Sequence, residues 1–582
     1  MTSTPPDDAA PEATLAEPAL PDEALLDDAL PDAPLPPTHT DLGKHTSLMA
    51  SGTAVSRVLG FVKASLLVYA INVTGGAADA FAIGNTLPNI LYLLIAGGVL
   101  NAVLVPQVVR AYQRTDGQGD DYVNRLLTLG TVALAVLTAI LTLAAPVLVA
   151  IYSSFGGALT GLAVLFAYWC LPQVLFYGLY TLIGQVLNAR GSFGPLMWAP
   201  VLNNLVSMAG LGVYLAVFGS FRANAAAIAD PTTWTGGQVA LLAGTATLGV
   251  IAQAFVLFVP LYRTGFRYRP RWGFRGVGLG RAGRVASWTF AGLVVGQVGV
   301  LVVANVASAV SKAPDGGLGL AGNAVYGSAF LVFMLPHSLV TVSLLTALFT
   351  GLSAKAALGD VGAVRDELSF GLRTVGLFTV FAAAVIAVLA HPFSRVLNFS
   401  ASPQDISALA TVIVAMMVGL PAFGAWSMAQ RVFYAYEDAR SMVPIQIGMA
   451  VVVVTGSLLG QALLPPKYWV AGAGASMTLS YGVGAVVALR ILRRRLEGFG
   501  AGRVVRLYVR IAVAAGITAA AGWTAVHLIG GLPDTRFARA VLICAVVGIL
   551  MTGVYVGLLK IMRVRELDDL LRPLLRRVGR SA

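Results

Sequence analysis

Charge is scarce in this chain: 11% of its 582 residues are Asp, Glu, Lys or Arg, while 57% are hydrophobic. Soluble domains carry about 25% charged residues. The length would allow roughly four water-facing domains of about 150 residues, but there is too little polar surface to coat them. Lipid must be the solvent, and the mean hydropathy of +0.79 agrees. This excludes cytosolic enzymes, nucleic-acid binders and secreted disulfide scaffolds. Cysteine is scarcer still. Cys170 and Cys544 cannot build a disulfide framework or a cysteine zinc site. The five histidines, at 39, 45, 337, 391 and 527, are scattered, so no metal cluster or nucleophile–base constellation arises. The expectation is a non-enzyme with no catalytic residue, metal site or cofactor.

Acids are missing from the apolar segments above all. None occurs over 46–78, 122–229, 316–359 or 439–496. Transporters coupled to protons or sodium usually keep buried carboxylates in their helices, and this chain almost lacks them. Ion coupling or the membrane potential alone remains as a driving force. Ten acids do crowd into residues 1–45, against Lys44 alone. That Pro/Ala-rich segment has no aromatic residue and no basic leader, so it reads as a disordered tail. The overall charge of +12 therefore conceals a remainder of 38 bases against 17 acids, a net of +21.

What is abundant is long apolar runs. They predict spans at 46–71, 79–110, 122–151, 158–189, 195–219, 237–262, 282–310, 320–352, 364–390, 406–434, 441–464, 468–490, 508–530 and 536–560. About 20 residues suffice for a helix to cross the hydrocarbon core, and lipid leaves helices or closed barrels as the only options. Alternation at period two is absent, so the fold class is all-α, polytopic, with about fourteen transmembrane helices. Basic residues gather in alternate connections, as in Arg263–Arg284, Arg490–Arg506 and Lys560–Arg580. The positive-inside rule then puts both termini in the cytoplasm.

Weak echoes suggest a repeat. Leu87-Pro88 faces Leu335-Pro336 at an offset of 248, and residues 185–189 face 431–435 at 246. Ser47 and Arg57 sit like Ser287 and Gln297 at 240. Span n thus matches span n+6, which predicts two parallel six-helix lobes. The organisation is an acidic tail (1–45), an N-lobe (46–262), a basic loop (263–281), a C-lobe (282–490), a final helix pair (491–562) and a basic tail (563–582).

Two bases lie inside span one. Arg57 is eleven residues, about 16 Å, past its start, near the bilayer midplane. A charge there costs about 2.5–3.5 kcal/mol on insertion scales, so it should face a wet cavity or a partner. Lys63 is about 120° round the helix. It either edges the same cavity or snorkels to an interface. Asp79 either pairs with a base or caps span two. Gln297 and His337 are further polar candidates for the cavity, although a packed histidine serves equally for His337. A cationic cavity attracts anions and repels cationic drugs.

The segments Ser56-Arg57-Val58-Leu59-Gly60-Phe61, Ala78-Asp79-Ala80-Phe81 and Leu87-Pro88-Asn89 resemble the opening of the MurJ (MviN) lipid II flippases. Gly184, Leu187-Asn188, Phe193, Ala199-Pro200, Leu202 and Asn204 are similar to that family's junction of spans four and five, and Phe433-Tyr434, Asp438 and Pro444 to its junction of spans ten and eleven. The resemblance covers about residues 46–562. It implies a MOP-superfamily exporter of two lobes around a cavity, with the last two helices forming a groove for a polyprenyl tail. It implies lipid II, or a related anionic polyprenyl lipid, as substrate, a place in the bacterial inner membrane, and the cell-wall synthesis machinery as partner. Arg57, Lys63 and Asp79 fall on the family's substrate-binding positions. Departures are Tyr92 and Leu331, where the family has arginines, Gly97, where it has an acid, and an Asp438–Pro444 spacing two residues longer. A flippase for another polyprenyl-linked glycan or a MATE-like exporter is the alternative. The exporter would need carboxylates in span one, which has none. A non-transporting cell-wall scaffold is a further alternative, with only short tails for binding surface.

Overall fold

The structure, a computed structural model, describes residues 39–95, 119–273, 279–313, 317–530, 534–564 and 566–567. Residues 49–582 form one compact unit, and of residues 1–48 only the backbone from His39 is described. Helices account for the long apolar runs because a backbone in lipid must satisfy its own hydrogen bonds.

The N-lobe runs α1 (His39–Ile71), α2 (Gly76–Ile95), α3 (Gly119–Leu143), α4 (Ala145–Tyr152), α5 (Gly157–Cys170), α6 (Gln173–Ala189), α7 (Gly194–Phe218), α8 (Ala225–Ala229), α9 (Gly236–Phe255) and α10 (Phe258–Arg263). The C-lobe runs α11 (Leu279–Ala309), α12 (Asn323–Pro336), α13 (Val342–Ala357), α14 (Val361–Val388), α15 (Ala390–Leu397), α16 (Pro403–Met417), α17 (Leu420–Ala435), α18 (Met442–Leu463) and α19 (Trp469–Arg495). The last pair is α20 (Ala501–Ile529) and α21 (Phe537–Ile561).

The lobes repeat one plan. In the first, α7 packs on α9 and α2 on α5; in the second, α18 packs on α19 and α12 on α16. Breaks recur in step. Pro172 separates α5 from α6, and the α16–α17 pair bends by 44° just before Pro421. Pro88 interrupts α2, and Pro336 precedes a π-helical turn, His337–Thr341, that leads into α13. A proline lacks the N–H for the helical ladder and crowds the carbonyl four residues back, so the helix bends there.

Small residues set the closest approaches. Gly210 packs against Thr245 and Gly249 against Asn203 and Ser207, where α7 meets α9. A Cβ on Gly249 would stand 2.8 Å from the Asn203 carbonyl oxygen. Gly249→Val is therefore expected to cost about 1–3 kcal/mol by overpacking, read as a lower melting temperature of the detergent-solubilised protein.

Twelve described helices are long and apolar enough to cross a membrane, or thirteen if the bent pair α16–α17 counts as one span. The apolar runs predict fourteen. The span not counted is 79–110, of which α2 is described only to Ile95; residues 96–110, with Gly97, lie outside the described residues. The expected tail needs a correction at its edge, because α1 begins at His39 and residues 39–45 are helical. No proline follows Pro37 before the apolar run, so the helix extends back beyond that run. The rest of the tail, 1–38, lies outside the described residues, as does most of the basic tail beyond Leu567.

Candidate functional site

A cavity of about 350 Å³ opens between the lobes. Helix α1 contributes Thr53, Ser56, Arg57, Gly60 and Phe61, and α6 contributes Tyr180. Leu196, Met197 and Pro200 of α7 and Leu331 and Leu335 of α12 complete it. The α1 wall is fixed where Asn204 Nδ2 of α7 donates to the Ser56 carbonyl at 2.9 Å, and where Gly52 lets α1 approach Trp198. Beyond those points α1 is loosely held: from Ser51 to Leu67 only Gly52 is buried. The equivalent α11, by contrast, packs closely on α18. Arg57 is exposed into the cavity and makes no ion pair among the described residues.

The expected basic cavity thus narrows to one arginine. Lys63 is half-buried elsewhere on α1 and is not part of the lining. Tyr92 bonds Thr181 and rests on the Tyr177 ring at 5.3 Å. His337 is not in the lining either. It is 6% exposed, 4.3 Å from the Phe423 ring centroid, and its Nδ1 has no hydrogen-bond partner among the described residues. Gln297, on α11, also lies outside the lining, with its Oε1 buried and unpartnered among the described residues.

Asp79 is not in the cavity. It sits at the far end of the helices from the arginine-rich loops, 2% exposed, and accepts the Ala324 N–H at 2.8 Å. The carboxylate therefore caps the first turn of α12 in the other lobe, not its own helix. An anion there satisfies a free N–H and faces the positive end of the helix dipole. Gly322 makes room for it, since a Cβ at that position would overlap the carboxylate.

More bonds join the lobes at this end. The Ser154 N–H donates to Ser308 Oγ at 2.7 Å, and Ser154 Oγ donates to the Asn305 carbonyl at 2.6 Å. Asn305 Nδ2 donates to the Ile151 carbonyl at 2.8 Å, and Arg222 Nε to the Ser400 carbonyl at 2.9 Å. Thr74 and Asn72 both donate to Asp405. The opposite, basic end differs. Its ion pairs, Asp120–Arg190, Asp121–Arg271, Lys355–Glu367, Arg373–Glu566 and Asp438–Arg495, each stay on one side of the cleft. At Asp438 burial opposes the charge, but Ser441 and Arg495 outweigh it and hold the carboxyl below its ordinary value. The lobes are thus latched at the Asp79 end, whereas these five ion pairs at the basic end brace each side without crossing between them.

Residues 73–542 match the family described as lipid II flippase MurJ. The chain belongs to this family. A probable lipid II flippase MurJ of Haemophilus influenzae is 25% identical over 81% of this chain and 90% of its own length. A lipid II flippase MurJ solved in an inward closed conformation shares the fold at a TM-score of 0.65, with 16% identity over 87% of this chain and 98% of its own. An inward-facing multidrug-resistance MATE transporter of the MOP superfamily shares it at 0.61, with 14% identity over 76% of this chain and 94% of its own. The protein is accordingly a multi-pass membrane protein of a transporter family. Arg57 lies ahead of the matched stretch, so its place in this flippase-family chain rests on the cavity geometry. Leu331, 39% exposed, gives the cavity an apolar wall.

The sequence pattern does not mark Thr53, Ser56, Tyr180, Met197 or Leu335 as lining. Their only signal is helical spacing, as in 53, 56, 57 and 60 on one face of α1.

Proposed function

We propose that this chain moves lipid II from the cytoplasmic to the periplasmic leaflet of the bacterial inner membrane by alternating access. The basic end is assigned to the cytoplasm by the positive-inside rule, which makes the Asp79 end periplasmic. The observation that carries the reading is Arg57: a cation with no ion pair among the described residues, in an interlobe cavity between lobes latched at the opposite end. A guanidinium presents a planar fork of donors suited to a phosphate. Here it engages the pyrophosphate, while α20 and α21, packed on α14 and on each other, flank the polyprenyl tail. Asp79 acts at the latch, and Lys63 supports the charge of α1 from outside the cavity.

The membrane potential supplies the drive. With a negative cell interior, carrying an anionic headgroup outward gains about 2.3 kcal/mol per charge per 100 mV. No cofactor enters this scheme.

Reconstituted into liposomes with lipid II, the protein is expected to expose headgroups to a water-soluble reagent on the receiving side, faster when the potential favours outward movement of anions. Exposure at the rate of empty liposomes would overturn the proposal. A second reading, another anionic polyprenyl-linked glycan, is favoured by Leu331, which leaves the headgroup pocket one cation beside an apolar wall. The same liposomes loaded with that lipid separate the two.

A further inference from the structure

The loop from Asn398 to Ser402 reaches from the C-lobe to the N-lobe, and Asp405, in the first turn of α16, is its fixed point. This carboxylate is 4% exposed. Within its own lobe it completes a capping box at the start of α16: the Ser402 N–H and hydroxyl donate to its Oδ2 at 3.0 and 2.8 Å, and its own N–H donates to Ser402 Oγ at 3.2 Å. Across the cleft it takes two more donors, the Thr74 hydroxyl on Oδ1 and Asn72 Nδ2 on Oδ2 at 3.3 Å. Thr74 is held in turn, because its oxygen accepts the Gly319 N–H at 3.0 Å. Asn72 adopts a left-handed backbone at φ 68°, which asparagine tolerates better than most residues. That conformation turns the chain from α1 into this contact.

The surroundings fit the same purpose. Val68 and Val73 of the N-lobe are packed into the buried cluster of the C-lobe, beside Ala321 and Ile406. Tyr69 of α1 meets Phe399 of the loop at 5.4 Å between ring centroids. Phe399 also meets Phe537 of α21 at 6.2 Å, edge to face. The loop thus touches the N-lobe, the C-lobe and the last helix pair at once.

We propose that Asp405 is a positioning residue, a clasp that holds the Asp79 end shut and must release Thr74 and Asn72 for the lobes to part. A hydrogen bond to a charged, buried acceptor is worth more than a neutral one, and leaving such an acceptor short of donors is costly. The clasp rests on the alternating-access reading, but it can be tested without any lipid substrate.

The test uses the full-length protein in detergent, with Val73→Cys added and Cys544→Ala to remove the partly exposed thiol. Val73 is 1% exposed and leaves the C-lobe cluster only when the lobes part. Native Cys170, fully buried inside the N-lobe, reports global unfolding in the same sample. Thr74→Val removes the interlobe donor and leaves the α16 capping box intact; Asp405→Asn removes the charge. Each is expected to raise the rate at which a water-soluble maleimide modifies the thiol introduced at position 73 by about tenfold or more, with Cys170 still protected. An unchanged rate in both variants would overturn the clasp. So would equal acceleration at Cys170, which means general loosening. Modification as expected alongside failed lipid transport would sink the flippase reading and leave the clasp standing.

Discussion

Arg57→Ala is expected to reduce lipid II translocation by about 100-fold or more. Two charge-assisted hydrogen bonds from one guanidinium to a phosphate, at about 1.5–3 kcal/mol each, are lost together. No other base in the lining takes them over, because Lys63 is elsewhere and Leu331 and Leu335 are apolar. Arg57→Lys keeps the charge and loses the fork, so an intermediate loss of about tenfold is expected. Both are read as headgroup exposure in proteoliposomes at matched protein density. The alanine variant should retain the parent melting temperature, since Arg57 makes no ion pair among the described residues. Alanine and wild-type rates within about twofold of each other, far short of the loss of two such bonds, would remove Arg57 from the transport site.

The second large effect is at the latch formed by Asp79. Gly322→Ala puts a methyl group where the carboxylate lies. The carboxylate must then leave the Ala324 N–H, exposing a buried donor and a buried charge, a loss of about 2–3 kcal/mol from the closed form. Asp79→Ala removes the acceptor and is expected to cost a similar amount. The informative variant is the pair. With the carboxylate gone, the methyl group has room, so Gly322→Ala should add little to Asp79→Ala. This non-additivity separates a direct clash from two independent injuries. Melting temperature and translocation measured on all four proteins check it, and simple addition of the two losses would show that the carboxylate is not what Gly322 accommodates.

How much of this is legible in the sequence differs by feature. Helical character and the two-lobe plan are visible because they are one-dimensional: apolar run lengths, and echoes such as Leu87-Pro88 with Leu335-Pro336 and 185–189 with 431–435 at nearly one offset. Arg57 is legible too, as a guanidinium deep in an acid-poor span. The cavity wall is not, because Tyr180, Leu196 and Leu331 come from three helices and each looks like an ordinary lipid-facing residue in its own segment. Asp79 reads as a helix cap, but for the wrong helix, since local spacing sees only the chain it belongs to. Asp405 has a readable capping signature, Ser402 followed by an acid three residues on. Its bonds to residues 72 and 74, more than 330 positions away, carry no local signal.

The placement of the ion pairs has a consequence for ionic strength. Those at the basic end are partly exposed, and dissolved salt screens such charges over about 8 Å at physiological concentration. The two carboxylates that join the lobes at the other end, Asp79 and Asp405, are buried and shielded from mobile ions. Since each basic-end pair lies to one side of the cleft, salt relaxes the bracing of each half without pulling on the joint between them. The balance between the two access states should therefore hold steady across osmotic and saline shifts that would unsettle a carrier gated by surface charges.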